Sequence, residues 1–222
     1  MRDYLQLANL RRAAVVGFMV TMLAVPRLMM AGVDLAVYIP ACLATMMLVA
    51  GAPTAWGHYG GLPGLFPRWA RVKRGMTAAV LFALIMFPFA LRMDALRWEL
   101  LEVGQIEHWR VMPPPTTAAE IVALLLWRAG FEALFFQAAT ICLLARLFRD
   151  WRPALIGAVL LRGAVTAAQM GYDLGGDYAW WFLAYTLIDA VLAGGLYVIA
   201  GWPATAVFVV LLGLRHFLWG PP

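Results

Sequence analysis

Long apolar runs separated by short polar stretches dominate the chain. Seven such runs cover roughly residues 13–31, 35–54, 75–92, 117–146, 153–172, 178–200 and 203–219. A helix that crosses the hydrocarbon core of a bilayer needs about 20 predominantly apolar residues. The pattern therefore predicts an all-α polytopic transmembrane bundle with about seven spanning helices.

Composition supports this prediction and narrows the possible partners. The 222 residues are 64% hydrophobic and 13% charged, whereas about 25% of the residues in a soluble domain are charged. The net charge is +5, and the basic residues lie in short loops beside apolar segments. This pattern predicts contact with membrane lipids, and no nucleic-acid partner is needed to explain the charge. Cys42 and Cys142 lie inside apolar runs and are expected to be reduced core residues. No A-x-A-like cleavage site follows the first run, which we interpret as a retained helix.

The loops predict an orientation. Residues 55–75 and 146–152 are the basic loops, and they carry Arg68, Arg71, Lys73, Arg74, Arg146, Arg149 and Arg152. Residues 173–177 carry only acids, Asp173 and Asp177. Since basic loops stay in the cytoplasm, we expect the N-terminus inside and the C-terminus outside the cell (inner or plasma) membrane.

Two regions are expected along the chain. Residues 1–116 would contain N-terminal transmembrane helices, loops and an interfacial helix over about 94–109, where Leu, Trp and charged residues mix. Residues 117–222 would form a transmembrane core. Thr117 and Glu120 have the spacing of a capping box, which predicts the start of the fourth spanning helix.

Four ionisable residues lie near the middle of apolar runs: Arg128, Glu132, Arg162 and Asp189. Each costs roughly 2.5–3.5 kcal/mol at the centre of a membrane helix, so we expect them to face inward and meet. Their formal charges sum to zero. Gln137 and Gln169 are expected to extend this polar cluster, together with Tyr172 and Tyr185. The cluster fits an active or binding site, and it equally fits polar contacts that fix helix packing.

Three stretches carry a family resemblance: EALFFQA over Glu132–Ala138, GAVTAAQ over Gly163–Gln169, and GGLYVIAGWPATAVF over Gly194–Phe208. Their order resembles the CPBP family of intramembrane endopeptidases, which includes the type II CAAX prenyl proteases. That family carries EE-x-x-x-R in one helix, F-x-x-x-H in a later helix and H-x-x-x-N in the last. The resemblance covers about residues 117–219 and implies a CPBP-like core in the four C-terminal helices.

The resemblance also implies which catalytic positions differ. The first Glu of the family, which with a histidine activates a water molecule, falls on Glu132. The remaining positions of the three motifs fall on Ala133, Gln137, Gln169, Phe208 and Leu212. An amide cannot accept a proton from water at neutral pH, and the side chains of Phe208 and Leu212 offer no donor to an oxyanion. If the chain were active, Glu132 would be the catalytic residue.

Three functional hypotheses follow. The first is a non-catalytic scaffold, chaperone or regulator of a membrane protein partner. The second is an active endopeptidase that uses Glu132 with a rewritten site, and the third is lipid or small-molecule binding or transport through the polar cluster. No cofactor or metal is expected, because the three histidines, His58, His108 and His216, lie in loops or at a segment end on different sides of the membrane.

Overall fold

The computed structural model describes residues 3–65, 67–102, 115, 117–170 and 178–218. These residues form seven helices and no strand. The helices are α1 (Leu7–Met30), α2 (Leu35–Trp56), α3 (Trp69–Glu102), α4 (Ala118–Phe148), α5 (Trp151–Met170), α6 (Tyr178–Ala200) and α7 (Trp202–Gly213), with a 3₁₀ turn at Leu214–Phe217 that continues α7. A further 3₁₀ turn covers Tyr59–Gly61.

Five of these helices are long and apolar enough to cross a membrane: α1, α2, residues Trp69–Leu96 of α3, α4, and residues Ala179–Ala200 of α6. This confirms the predicted all-helical membrane fold. Helix α7 and its 3₁₀ turn form a shorter apolar rod over Trp202–Phe217. Helix α5 has 20 residues and carries Arg152 and Arg162.

Helix α3 corrects one expectation. A separate interfacial helix was predicted over about 94–109, after a break near residue 92. The structure instead continues α3 without interruption from Trp69 to Glu102, and residues 103–109 lie outside the described part. Asp94 is buried within this helix. Its carboxylate is paired with Arg215 in the 3₁₀ turn after α7, so it is not exposed at the membrane interface.

A local prediction at the start of α4 is confirmed. The Thr117 side chain accepts from the Glu120 backbone N–H, and the Glu120 side chain accepts from the Thr117 backbone N–H, both at 3.2 Å. This capping box begins α4. Helix α7 begins after Gly201, which has φ 81°. A Cβ there would lie 3.0 Å from Pro67 and 3.1 Å from the Gly64 carbonyl, so this turn requires glycine.

Contacts between side chains identify the two ends of the bundle. At one end, the Tyr4 and Trp56 rings lie 5.3 Å apart, and the Arg146 guanidinium lies 5.1 Å from the centre of the Tyr59 ring. At the other end, Asp94 of α3 contacts Arg215 after α7. The described N-terminal and C-terminal residues therefore lie at opposite ends of the bundle.

The apolar core contains two main clusters of buried residues. One joins α1, α2, α4, α5 and α6 around Leu134, Ile141 and Tyr197. The other joins α3, α6 and α7 to α4 through Ala133, Leu196 and Phe208. Helix α4 contributes to both clusters and is therefore the central element of the fold.

Candidate functional site

The middle of α4 is a π-helix from Arg128 to Ala139. At its end the Thr140 backbone N–H donates to the Phe135 carbonyl, five residues earlier, and the Thr140 hydroxyl donates to the same oxygen at 2.8 Å. The Trp202 indole donates to the Ala129 carbonyl at 3.1 Å and links α7 to the π-helix. Departures of this kind inside α-helices are rare and often mark functional sites.

Glu132 lies in this π-helix between two arginines. Its Oε2 atom is 3.4 Å from Nε of Arg128 and 3.7 Å from Nη2 of Arg162. The Arg162 guanidinium also lies 4.1 Å from the centre of the Phe136 ring. The structure thus brings together three of the four predicted intramembrane charges, from helices α4 and α5.

Asp189 lies on α6, which packs against α5 beside Arg162: a Cβ at Gly163 would lie 2.7 Å from the Leu187 side chain. Asp189 forms no ion pair among the described residues. Asp189 is 9% exposed, and its Oδ1 atom is buried without a hydrogen-bond partner. The hydroxyl of Tyr185, one helical turn earlier, is buried and unpartnered as well.

Of the two predicted amides, only Gln137 has a side chain that the structure describes. Gln137 is buried, and its Oε1 atom has no hydrogen-bond partner. Gln169 belongs to α5, but its side chain lies outside what the structure describes, and so does Tyr172.

A second buried charge cluster joins α3 to the end of α7. Arg215 donates through Nε to Oδ2 of Asp94 at 2.6 Å and through Nη2 to Oδ1 at 3.4 Å. It also donates through Nη1 to the Leu212 carbonyl at 2.8 Å. Nδ1 of His216 lies 3.6 Å from the same Asp94 carboxylate. The side chains of Arg215 and Asp94 are only 5% and 9% exposed.

This second cluster was not predicted from the sequence. Asp94 was placed at the start of the expected interfacial helix over about 94–109, and Arg215 was not singled out. The available signal was a lone arginine at the end of the last apolar run, in LLGLRHF, which would need an acid nearby if the run were buried.

The two clusters and Asp189 together contain three arginines (Arg128, Arg162 and Arg215) and three acids (Asp94, Glu132 and Asp189), so their formal charges sum to zero. We call these six residues the charge network. It extends from the π-helix in α4 to the end of the bundle where α3 and α7 meet.

Three of the positions that the resemblance assigns to the motifs are apolar and buried. Ala133 and Phe208 are 0% exposed and Leu212 is 1% exposed. All three belong to the same buried cluster of α3, α4, α6 and α7. At these positions the chain offers no proton acceptor and no oxyanion donor, so Glu132 is left with two arginines as its polar neighbours.

Within the described residues, no group of three or more His, Cys, Asp or Glu side chains is placed to hold a metal ion. Cys42 and Cys142 are free. Cys142 is buried against Tyr197, with 2.9 Å between Sγ and the hydroxyl oxygen.

Comparisons with known proteins give no relative for this chain. It matches no protein-family model, and neither a curated protein nor a solved structure matches it.

Proposed function

We propose that this chain is a non-catalytic integral membrane protein with a CPBP-like core, which acts as a scaffold, chaperone or regulator of a membrane protein partner. In this proposal all seven helices span the cell membrane, with the N-terminus in the cytoplasm and the C-terminus outside. The basic loops at 55–75 and 146–152 support that orientation.

The observation that carries the proposal is the packing of Ala133, Phe208 and Leu212 into one apolar cluster. These are the positions where the resemblance would require the second glutamate, a histidine and an asparagine. A general base needs a positioned proton partner, and oxyanion stabilisation needs aimed donors. Side chains of alanine, phenylalanine and leucine supply neither.

The surroundings of Glu132 support the same conclusion. Two arginines lie beside its carboxylate, so Glu132 faces cations where a general base needs a positioned proton partner. Its role in the proposal is therefore to pair with arginines of α4 and α5 rather than to act as a base.

Partial exposure of this group supports a protein partner. The side chains of Arg128, Glu132 and Arg162 remain 16%, 24% and 21% exposed. A charged side chain in contact with hydrocarbon is costly. A partner helix that presents polar groups to these three side chains would remove that cost.

A second candidate function, lipid binding, is favoured by an apolar groove between α3 and the end of α7. The groove has a volume of about 440 Å³ and is lined by Val80, Leu84, Phe87, Leu211, Leu214 and Phe217. Its lining suits an acyl chain.

Affinity purification from the native membrane in a mild detergent tests the proposal. We expect one membrane protein to co-purify in a fixed ratio with the wild-type chain. Its yield should fall in Arg162→Gln, because Arg162 is part of the partly exposed group, and stay unchanged in Arg152→Gln, a matched loss of charge at the exposed start of α5. A chain that purifies alone, or with lipid only, would contradict the scaffold proposal.

A further inference from the structure

Arg162 is held weakly for a partly buried arginine. Its Nη2 atom lies 3.7 Å from Oε2 of Glu132, which is longer than the 2.7–3.2 Å of an N–H···O hydrogen bond. Its Nε atom is buried without any hydrogen-bond partner. Its other close neighbour is the Phe136 ring, over which the guanidinium lies. Arg162 is thus in contact with Glu132 but is not locked to it by a hydrogen bond.

The acceptor that Arg162 does not use is on the neighbouring helix. Oδ1 of Asp189 and the hydroxyl of Tyr185 are both buried and unpartnered. They are four residues apart on α6 and therefore lie on one face of that helix. Helix α5 packs against α6 directly beside Arg162, since a Cβ at Gly163 would lie 2.7 Å from the Leu187 side chain. The unpaired Nε donor of Arg162 on α5 and the two unpaired groups on α6 therefore lie on neighbouring helices. Leaving buried polar groups unpaired is costly.

The distribution of charges in the network is also uneven. Glu132 has two arginines, Arg128 and Arg162, whereas Asp189 has none in contact among the described residues. A different pairing of the same four residues would give each acid one arginine. It requires only that Arg162 leave Glu132, since Arg128 stays one turn away from Glu132 in α4.

We propose that Arg162 is a two-position switch within the membrane, which pairs with Glu132 in one arrangement and with Asp189 in the other. In the second arrangement the guanidinium leaves the Phe136 ring, Arg162 and Asp189 form the ion pair, and Arg128 alone neutralises Glu132. The total charge of the four residues is zero in both arrangements, so the exchange does not require an ion to enter or leave the bundle. The contact between α5 and α4 is thereby traded for one between α5 and α6. This inference does not depend on the existence of a partner.

A double-mutant cycle carried out in two backgrounds tests the switch. The coupling between Arg162→Gln and Asp189→Asn is measured from the unfolding equilibrium of the full chain in mixed detergent micelles, first with Glu132 and then with Glu132→Gln. A fixed Arg162 gives the same coupling in both backgrounds. A switching Arg162 is released when Glu132 becomes neutral and moves to Asp189, so the coupling should rise by about tenfold in the unfolding constant.

The control uses Arg152→Gln at the exposed start of the same helix, which should show no coupling to Asp189→Asn in either background. If Arg162→Gln does not fold, Arg162→Met replaces it in the same cycle, because methionine also removes the charge and keeps an unbranched, flexible side chain. A coupling that is equal in the two backgrounds, or that is absent from both, would overturn the proposal.

Discussion

Removing Asp94 alone should be among the most destabilising single changes in this chain. The substitution Asp94→Asn removes the negative charge beside the Arg215 guanidinium, which is 5% exposed, and leaves it only neutral acceptors such as the Leu212 carbonyl at 2.8 Å. It also removes the carboxylate that lies 3.6 Å from His216. Breaking a buried pair from one side commonly costs about 3–5 kcal/mol. This corresponds to roughly 150-fold to 5,000-fold in the unfolding constant.

Two further variants serve as comparisons for Asp94→Asn: one removes both members of the buried pair, and the other breaks an exposed pair. The double variant Asp94→Leu/Arg215→Met removes both charges and fills the space with apolar side chains, and such replacements are often neutral or stabilising. Arg92→Gln breaks the exposed pair with Glu99 on the same helix, whose side chains are 61% and 57% exposed. An exposed pair of this kind contributes about 0–1 kcal/mol.

The assay is equilibrium unfolding of the purified chain in mixed detergent micelles, followed by tryptophan fluorescence. The expected order of destabilisation places Asp94→Asn far above both the double variant and Arg92→Gln. If Asp94→Asn and Arg92→Gln cost the same, or if the double variant is worse than Asp94→Asn, then the Asp94–Arg215 pair is not the buried contact between α3 and α7 that the structure indicates.

Three further outcomes are expected. Thr117→Ala should cost about 0.5–2 kcal/mol in unfolding free energy because it removes the cap of α4. Gly75→Val should cost roughly 1–3 kcal/mol by the same assay, because a Cβ at Gly75 would collide with the Cβ of Ala200 where α3 crosses α6. Reporter fusions after Trp56 should behave as cytoplasmic and fusions after Pro222 as external; a cytoplasmic C-terminus would contradict the seven-span topology.

Hydropathy was sufficient to locate the helices, because the apolar requirement of a bilayer acts on every residue of a span. Each of the seven predicted runs corresponds to one helix of the structure. Their ends were less predictable: α1 begins at Leu7, before the run that starts near residue 13. Helix α3 continues to Glu102, through charges that were expected to end it.

Part of the charge network was accessible from the sequence because of its spacing. Arg128 and Glu132 are four residues apart, so one helix brings them together. The contact of Arg162 with Glu132 followed from the cost of leaving a charge in hydrocarbon. The Asp94–Arg215 pair was missed because its members are 121 residues apart, and no local pattern indicates which distant helices meet.

The π-helix was not predicted either. The sequence from Arg128 to Ala139 has one glycine, Gly130, and no proline, and this composition does not distinguish a widened turn from an ordinary α-helix. Contacts with other helices, such as the Trp202 indole on the Ala129 carbonyl, accompany this geometry and arise only in the folded bundle.

The most direct test of the non-catalytic assignment is a search for peptide cleavage by the chain in its native membrane. Wild-type protein and Glu132→Gln, which keeps the shape of the side chain and removes its charge, are purified with their membrane partners and matched for folded protein. Proteolytic fragments are then compared by mass spectrometry. The account predicts the same fragments from both samples. Fragments that are present with the wild type and absent with Glu132→Gln would contradict it and identify the chain as an active endopeptidase.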